Sequence, residues 1–176
     1  EYTIPMINAG KANKISPLLI ATRIRLEVGP NGSDSTNGVE FTWKGQKYSG
    51  YYNFFNIGAY EVTIDGVNYL YATKKNVTLN YIIAYAAKLI NREGNVWDNI
   101  ETAIKEGSSF LANGYVNNGQ GTLYYQKFNV SPDSESDPYT HQYMTNIQAP
   151  ATEGNQTYNS YKKVGILNES LIFEIP

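Results

Sequence analysis

Ser16-Pro17-Leu18-Leu19-Ile20-Ala21-Thr22-Arg23-Ile24-Arg25-Leu26-Glu27-Val28-Gly29-Pro30 reads as one helix with both ends marked. Ser offers a side-chain oxygen to the unpaired N–H groups of a first turn. Pro is tolerated at the first helical position, where its missing N–H would have had no partner. Gly29-Pro30 then stops the run. The stretch also holds an anomaly. Ile20, Ile24 and Glu27 fall at i, i+4 and i+7, so a carboxyl group continues an apolar stripe. Desolvation favours the protonated form of a carboxyl, which is the form a general acid needs. Arg23, four residues before Glu27, pulls the other way. Paired with it, Glu27 becomes one half of a surface ion pair worth roughly a few tenths of a kcal/mol.

Outward from this helix, residues 31–50 are rich in Gly, Asn and Ser. Within them Val39-Glu40-Phe41-Thr42-Trp43, a turn at Lys44-Gly45 and Gln46-Lys47-Tyr48 read as a hairpin. Residues 51–59 read as a loop or an edge strand. Helical patterns dominate afterwards. A short one covers 67–74. Another covers 79–91, with Ile82, Ile83, Ala86 and Ile90 on a common face. The longest covers 98–116, with Ile100, Ala103, Ile104, Phe110 and Leu111 turned inward. Residues 117–121 and 131–137 read as a loop and a polar turn. Residues 139–147 and 153–164 read as two final helices split by Pro150. With no repeat and no long linker, the expectation is one mainly helical α+β domain over residues 1–176. A small β-containing lobe is expected at roughly residues 31–60.

The chain has 176 residues and a mass of 19.7 kDa, room for one domain with a real core. Charged residues make up 17%, against roughly 25% in an ordinary domain, and 16 Tyr and 20 Asn take their place. Such a surface is neutral, polar and aromatic, which suits uncharged sugars. A net charge of −2 and a pI near 5.4 argue against a nucleic-acid partner. Without Cys there is no disulfide, thiolate nucleophile or Cys-based zinc site. No apolar run approaches the roughly 18 residues that a membrane span needs. His141 is the only His and has no HExxH-type spacing around it, so no metal and no cofactor are expected. The sequence opens at Glu1 without an initiating Met and stops at Pro176 just after an apolar stretch. It is expected to be a domain of a longer protein.

Tyr51-Tyr52-Asn53-Phe54-Phe55-Asn56-Ile57-Gly58-Ala59 is the second anomaly. Aromatic faces stack on the C–H faces of pyranose rings, and Asn amides match hydroxyl and acetamido groups with donors and acceptors. The same pattern also serves a core strand in which Phe54 and Phe55 are packing residues.

Four segments in order carry a family resemblance. Ser16-Pro17-Leu18-Leu19, Arg23 to Gly29 and Asn31-Gly32-Ser33 resemble the signature SP-LIASRI-QE-G-NGS of bacterial endo-β-N-acetylglucosaminidases. These are the autolysin catalytic domains of glycoside hydrolase family 73. Residues 51–59 resemble that family's second motif, residues 119–128 its third and residues 141–150 its fourth. The set spans nearly the whole chain and is most similar to the clostridial branch. The resemblance implies a lysozyme-like α-lobe, a small β-containing lobe and a groove between them. It further implies peptidoglycan glycan strands as substrate, cleavage after N-acetylglucosamine, and a secreted, cell-wall location. A monomer is expected.

In the family the Glu of the QE-G motif is the general acid, a role that passes to Glu27. Leu26 stands where many relatives have Gln, and Asn56-Ile57-Gly58 where many have Gly-Ile-Lys. Tyr124 holds the aligned position of the third motif and is expected to act in catalysis through its hydroxyl. Tyr52, Asn53, Phe55, Asn56, Tyr125, Gln142 and Tyr143 are the expected substrate-binding residues. A second carboxyl has three candidates, Glu40, Glu61 and Asp65. Glu61 is first among them, because it follows the aromatic motif where other branches place a second acid. The substrate offers another route, since its own acetamido oxygen can attack the anomeric carbon. Two other classes fit the same residues. One is a muramidase or lytic transglycosylase with a similar Glu, and the other is a non-catalytic wall-binding module, which needs no acid.

Overall fold

The Ser16 side chain accepts the N–H of Leu18 at 3.2 Å, and Pro17 opens the helix, so the marked boundary holds. A computed structural model describes residues 1–43, 46–57, 62–64, 67–69, 96–143 and 145–172. They form two compact units, residues 1–108 and 109–176.

The first unit holds α1 (Thr3–Asn13), α2 (Pro17–Val28), α3 (Asp34–Asn37) and two hairpins. α4 (Ile100–Gly114) belongs to it up to residue 108. α1 has no side-chain cap and a Pro in its first turn, and the sequence reading missed it. Packing against α2 holds it. A Cβ on Gly10 would lie 2.9 Å from Pro17 Cγ and 2.8 Å from the Ile15 carbonyl oxygen, so only Gly permits that approach. Ile20 and Ile24 of α2 are buried as the stripe predicted, in a core with Ala9, Ile15, Phe54, Phe55, Trp97, Ala103 and Ile104. Phe55 lies against Gly107 of α4, where a Cβ would overlap the ring.

β1 (Phe41–Trp43) and β2 (Gln46–Tyr48) form the predicted hairpin, with Phe41 opposite Tyr48 and Trp43 opposite Gln46. Lys47 donates to Glu40 across it at 2.8 Å, which holds the Lys47 ammonium above its ordinary range. A second hairpin corrects the reading of 67–74 as a helix. β3 (Val62–Ile64) pairs antiparallel with β4 (Val67–Tyr69), so residues 67–69 are strand. β-Branched and aromatic side chains favour that state. The strand region therefore reaches past residue 60 to residue 69. The expected helix over 79–91 lies outside the described residues.

α4 begins two residues later than predicted, where the Asn99 side chain accepts the N–H of Thr102 at 2.8 Å. It ends at Gly114, and a 3-10 turn covers Val116–Asn118.

In the second unit, α5 (Leu123–Phe128) is opened by Thr122, whose hydroxyl accepts the N–H of Tyr125 at 3.2 Å. α6 (Ala149–Lys163) begins four residues earlier than predicted, with Pro150 in its first turn rather than dividing two helices. The helix read over 139–147 is not there. Tyr139 and His141 have φ of 65° and 47°, a left-handed backbone that no α-helix carries. The N–H groups of this segment bond elsewhere: Tyr139 to the Asn129 carbonyl at 3.1 Å, and Tyr143 to the Gln126 carbonyl at 2.8 Å. Beside Leu111 and Ala112, the buried side chains among the described residues of this unit are Gln120, Gln126, Lys127 and Asn129.

Candidate active site

Glu27 sits in the last turn of α2, half-buried. Gly29 closes the helix, and its N–H bonds to the Arg25 carbonyl at 2.9 Å. Arg23 is 2% exposed, so its side chain lies in the core rather than on the helix surface. The carbonyl of Glu27, like the last few of any helix, has no partner within α2. Asn56 supplies one. Its Nδ2 donates to the Glu27 carbonyl oxygen at 2.8 Å and stands 3.4 Å from Glu27 Oε2. Thus the structure brings together the predicted acid and one of the predicted amides across 29 residues of chain.

The loop that carries Asn56 is fastened at several points. Tyr52 N–H bonds to the Trp97 carbonyl and Asn53 N–H to the Ser35 carbonyl, each at 2.9 Å. Asn53 is fully buried, donating to the Ile57 carbonyl at 2.9 Å and accepting the Ile57 N–H at 3.2 Å. That is a loop-closing role, and Phe55 is likewise a packing residue against α4. Tyr52 is half-buried and stacks on Phe54 with centroids 6.2 Å apart. The 51–57 segment is loop and turn rather than the core strand of one reading. Phe54 and Phe55 fill the core, while Tyr51, Tyr52 and Asn56 keep part of their surface exposed. On another side of α2 an apolar cleft of about 220 Å³ opens between Met6, Ile24, Val28, Pro30 and Phe54.

Of the candidate second carboxyls, Glu40 is exposed and paired with Lys47. Glu61 and Asp65 lie outside the described residues.

The other predicted residues belong to the second unit. Tyr124 is 47% exposed at the start of α5, tilted against Phe128 at 4.9 Å and edge-on to Tyr125 at 6.3 Å. Tyr143 is edge-on to Tyr115 at 5.0 Å, and His141 stacks on Tyr115 at 4.7 Å. Gln142 is exposed, accepts Lys127 Nζ at 3.1 Å and donates to the Tyr139 carbonyl at 3.2 Å. Beneath them lies a network that sequence reasoning missed. Gln120 Nε2 donates to the carbonyls of Tyr125 and His141 at 3.0 and 3.2 Å. Its Oε1 therefore faces His141 Nδ1 at 2.8 Å and accepts the ring N–H. Gln126 Nε2 donates to the Gln120 carbonyl at 3.2 Å, and Asn129 Nδ2 to the Asp137 carbonyl at 2.8 Å. Buried amides at such spacing leave no mark in the sequence, since Gln and Asn are ordinarily surface residues.

Among the described residues no three His, Cys, Asp or Glu side chains gather as a metal site. No described helix is long and apolar enough to cross a membrane.

No family model matches the chain. Its fold is that of the autolysin glucosaminidases, mainly helical α+β as the four motifs implied. Staphylococcus aureus glucosaminidase B superposes with a TM-score of 0.57 at 25% identity, over 92% of this chain and 53% of that one. A catalytic mutant of S. aureus autolysin E, in complex with the disaccharide NAG-NAM, superposes with a TM-score of 0.55. It is 24% identical, over 92% of this chain and 59% of that one. The chain is homologous to the staphylococcal bifunctional autolysins. It is 30% identical to that of Staphylococcus epidermidis over 164 residues, 92% of this chain and 10% of that protein. The chain thus spans about a tenth of the length of the curated relatives it matches.

Proposed function

We propose that residues 1–176 are the catalytic domain of a peptidoglycan hydrolase, an endo-β-N-acetylglucosaminidase acting as an autolysin in the cell wall. The observation that carries this reading is the 30% identity to bifunctional autolysin across 92% of the chain, with Glu27 at the end of a capped helix where the family signature has its acid. The disaccharide held by the related autolysin E supports the same substrate class here. The domain works as a secreted monomer on glycan strands, without metal or cofactor.

In the proposed reaction Glu27 gives its proton to the glycosidic oxygen as the bond to the anomeric carbon breaks. The acetamido oxygen of the same N-acetylglucosamine attacks that carbon, an established alternative to a second carboxylate. The Glu27 carboxylate then takes a proton from water, which opens the cyclic intermediate with net retention. Tyr124 stabilises the reacting acetamido group or ring through its hydroxyl. Tyr52, Tyr125, Gln142 and Tyr143 serve as binding residues, while Asn53 and Phe55 shape the loop that carries Tyr52. Should a conventional second acid act instead, Glu61 is the first to substitute. Loss of activity in Glu61→Gln together with an inverted product would identify it.

The test is product chemistry. Purified peptidoglycan is digested, the new ends are reduced with borohydride, and the reduced sugar is identified by mass spectrometry. Glucosaminitol is the expected end. Muramitol would make the chain a muramidase, an anhydro end a lytic transglycosylase, and no new ends a binding module.

A further inference from the structure

Asn56 has φ of +52°, in the left-handed region that favours Gly, yet it carries a side chain. The Oδ1 of that side chain is buried and has no hydrogen-bond partner among the described residues. Asn tolerates that backbone better than other side-chain-bearing residues, but a buried, unpartnered Oδ1 is costly. What offsets that cost lies at the other end of the amide, where both contacts go to one residue. Nδ2 donates to the main-chain carbonyl of Glu27 at 2.8 Å and reaches its Oε2 at 3.4 Å. A planar NH₂ group has two hydrogens, so one Asn can serve both oxygens.

We propose that Asn56 is a positioning residue for Glu27. It ties down the open carbonyl end of α2 and, through the same nitrogen, restricts the carboxyl group that this end carries. The assignment rests on the reading of Glu27 as the general acid. A free Glu side chain samples many rotamers, and ordering it only during the reaction would add to the barrier. Bridging main-chain and side-chain oxygens of one residue removes much of that freedom beforehand. The 3.4 Å contact is long for a hydrogen bond, as catalytic contacts often are before substrate closes the site. The amide nitrogen is turned toward Glu27, which sets this role apart from direct substrate binding.

The experiment compares Asn56→Gly and Asn56→Asp with the unaltered domain and with Glu27→Gln, on soluble uncrosslinked glycan strands. Gly accepts the left-handed backbone, so Asn56→Gly removes the amide while keeping the loop. Asp keeps the shape but sets a carboxylate against two acceptor oxygens. The expected result is a kcat lower by about 10–100-fold in Asn56→Gly, with KM within about twofold, and a loss at least as large in Asn56→Asp. A raised KM with kcat retained would make Asn56 a substrate ligand, and unchanged values would remove it from the site; either overturns the proposal. Inactivity of the unaltered domain, or full activity of Glu27→Gln, would instead remove the acid reading. A second measurement then decides the contact by itself. The Asn56 side-chain NH₂ protons should exchange slowly, and their NMR signals should move in Glu27→Gln. Exchange at the rate of a free amide, with no response to Glu27→Gln, would overturn the proposal independently of any activity.

Discussion

The end of α2 and the residues around α5 solve different packing problems. Around α2 the buried large side chains are mostly apolar, Ile20, Ile24, Phe54 and Trp97, with Arg23 and Asn53 buried among them. Around α5 the buried side chains include the amides Gln120, Gln126 and Asn129, which donate to main-chain carbonyls, and Lys127, which donates to the Gln142 side chain. An apolar core tolerates exchange of one hydrophobic residue for another of similar volume. A hydrogen-bonded core does not, because each lost partner leaves a desolvated donor or acceptor. The apolar contacts of the first region therefore tolerate exchange, while its few buried polar groups, such as Asn53, do not. In the second, chemical identity itself holds the Tyr139–Tyr143 segment in its left-handed turns.

The largest expected effect on stability is in the first region. Trp97→Ala empties a fully buried site and takes the indole donor from Glu106, so unfolding in denaturant should show a loss of about 3–5 kcal/mol. Next comes the direct contrast between the regions. Gln120→Leu keeps the volume but takes the side-chain donor from the Tyr125 and His141 carbonyls and the acceptor from His141 Nδ1. A loss of about 1–3 kcal/mol is expected in the same assay. Ile24→Val, an apolar exchange near α2, should cost only about 0.5–1.5 kcal/mol. Equal tolerance of the two substitutions would break the comparison. A sharper variant concerns function at α5: Tyr124→Phe should lower kcat more than it raises KM, measured on glycan strands, because a contact made only in the transition state acts on rate. The smallest effect is a pH dependence. Burial, then Glu1 and Tyr52, raise the Tyr2 phenol above its ordinary value. The folded state therefore holds that proton where the unfolded chain releases it. The contribution is complete below pH about 10 and is lost as the pH rises through the folded-state value. Melting curves across that range should fall more steeply for the unaltered chain than for Tyr2→Phe.

How much was legible follows from where the determining bonds lie. α2 was legible because its cap, its Pro and its stop are adjacent in the chain. Glu27 stood out because one helical stripe displays it. The second hairpin was legible in principle, since Asp65-Gly66 between short β-favouring runs is a strong turn signal that the helical reading passed over. α1 was not, because it rests on a glycine contact with Pro17 rather than on propensity. The segment after Pro138 misled for the same reason. Its backbone is set by carbonyls of Asn129 and Gln126, ten and 17 residues away from the N–H groups they accept. The reach of Asn56 to Glu27 is equally non-local, and no spacing rule connects positions 29 residues apart.

The central claim is that Glu27 delivers the proton that cleaves the glycan, and Glu27→Gln tests it most directly. Gln keeps the shape and the Asn56 contact to the main-chain carbonyl but has no carboxyl proton to give. Release of reducing ends from purified peptidoglycan should fall by about 10²–10⁴-fold while the melting temperature stays close to that of the unaltered domain. Retention of more than about a tenth of the activity would contradict the account.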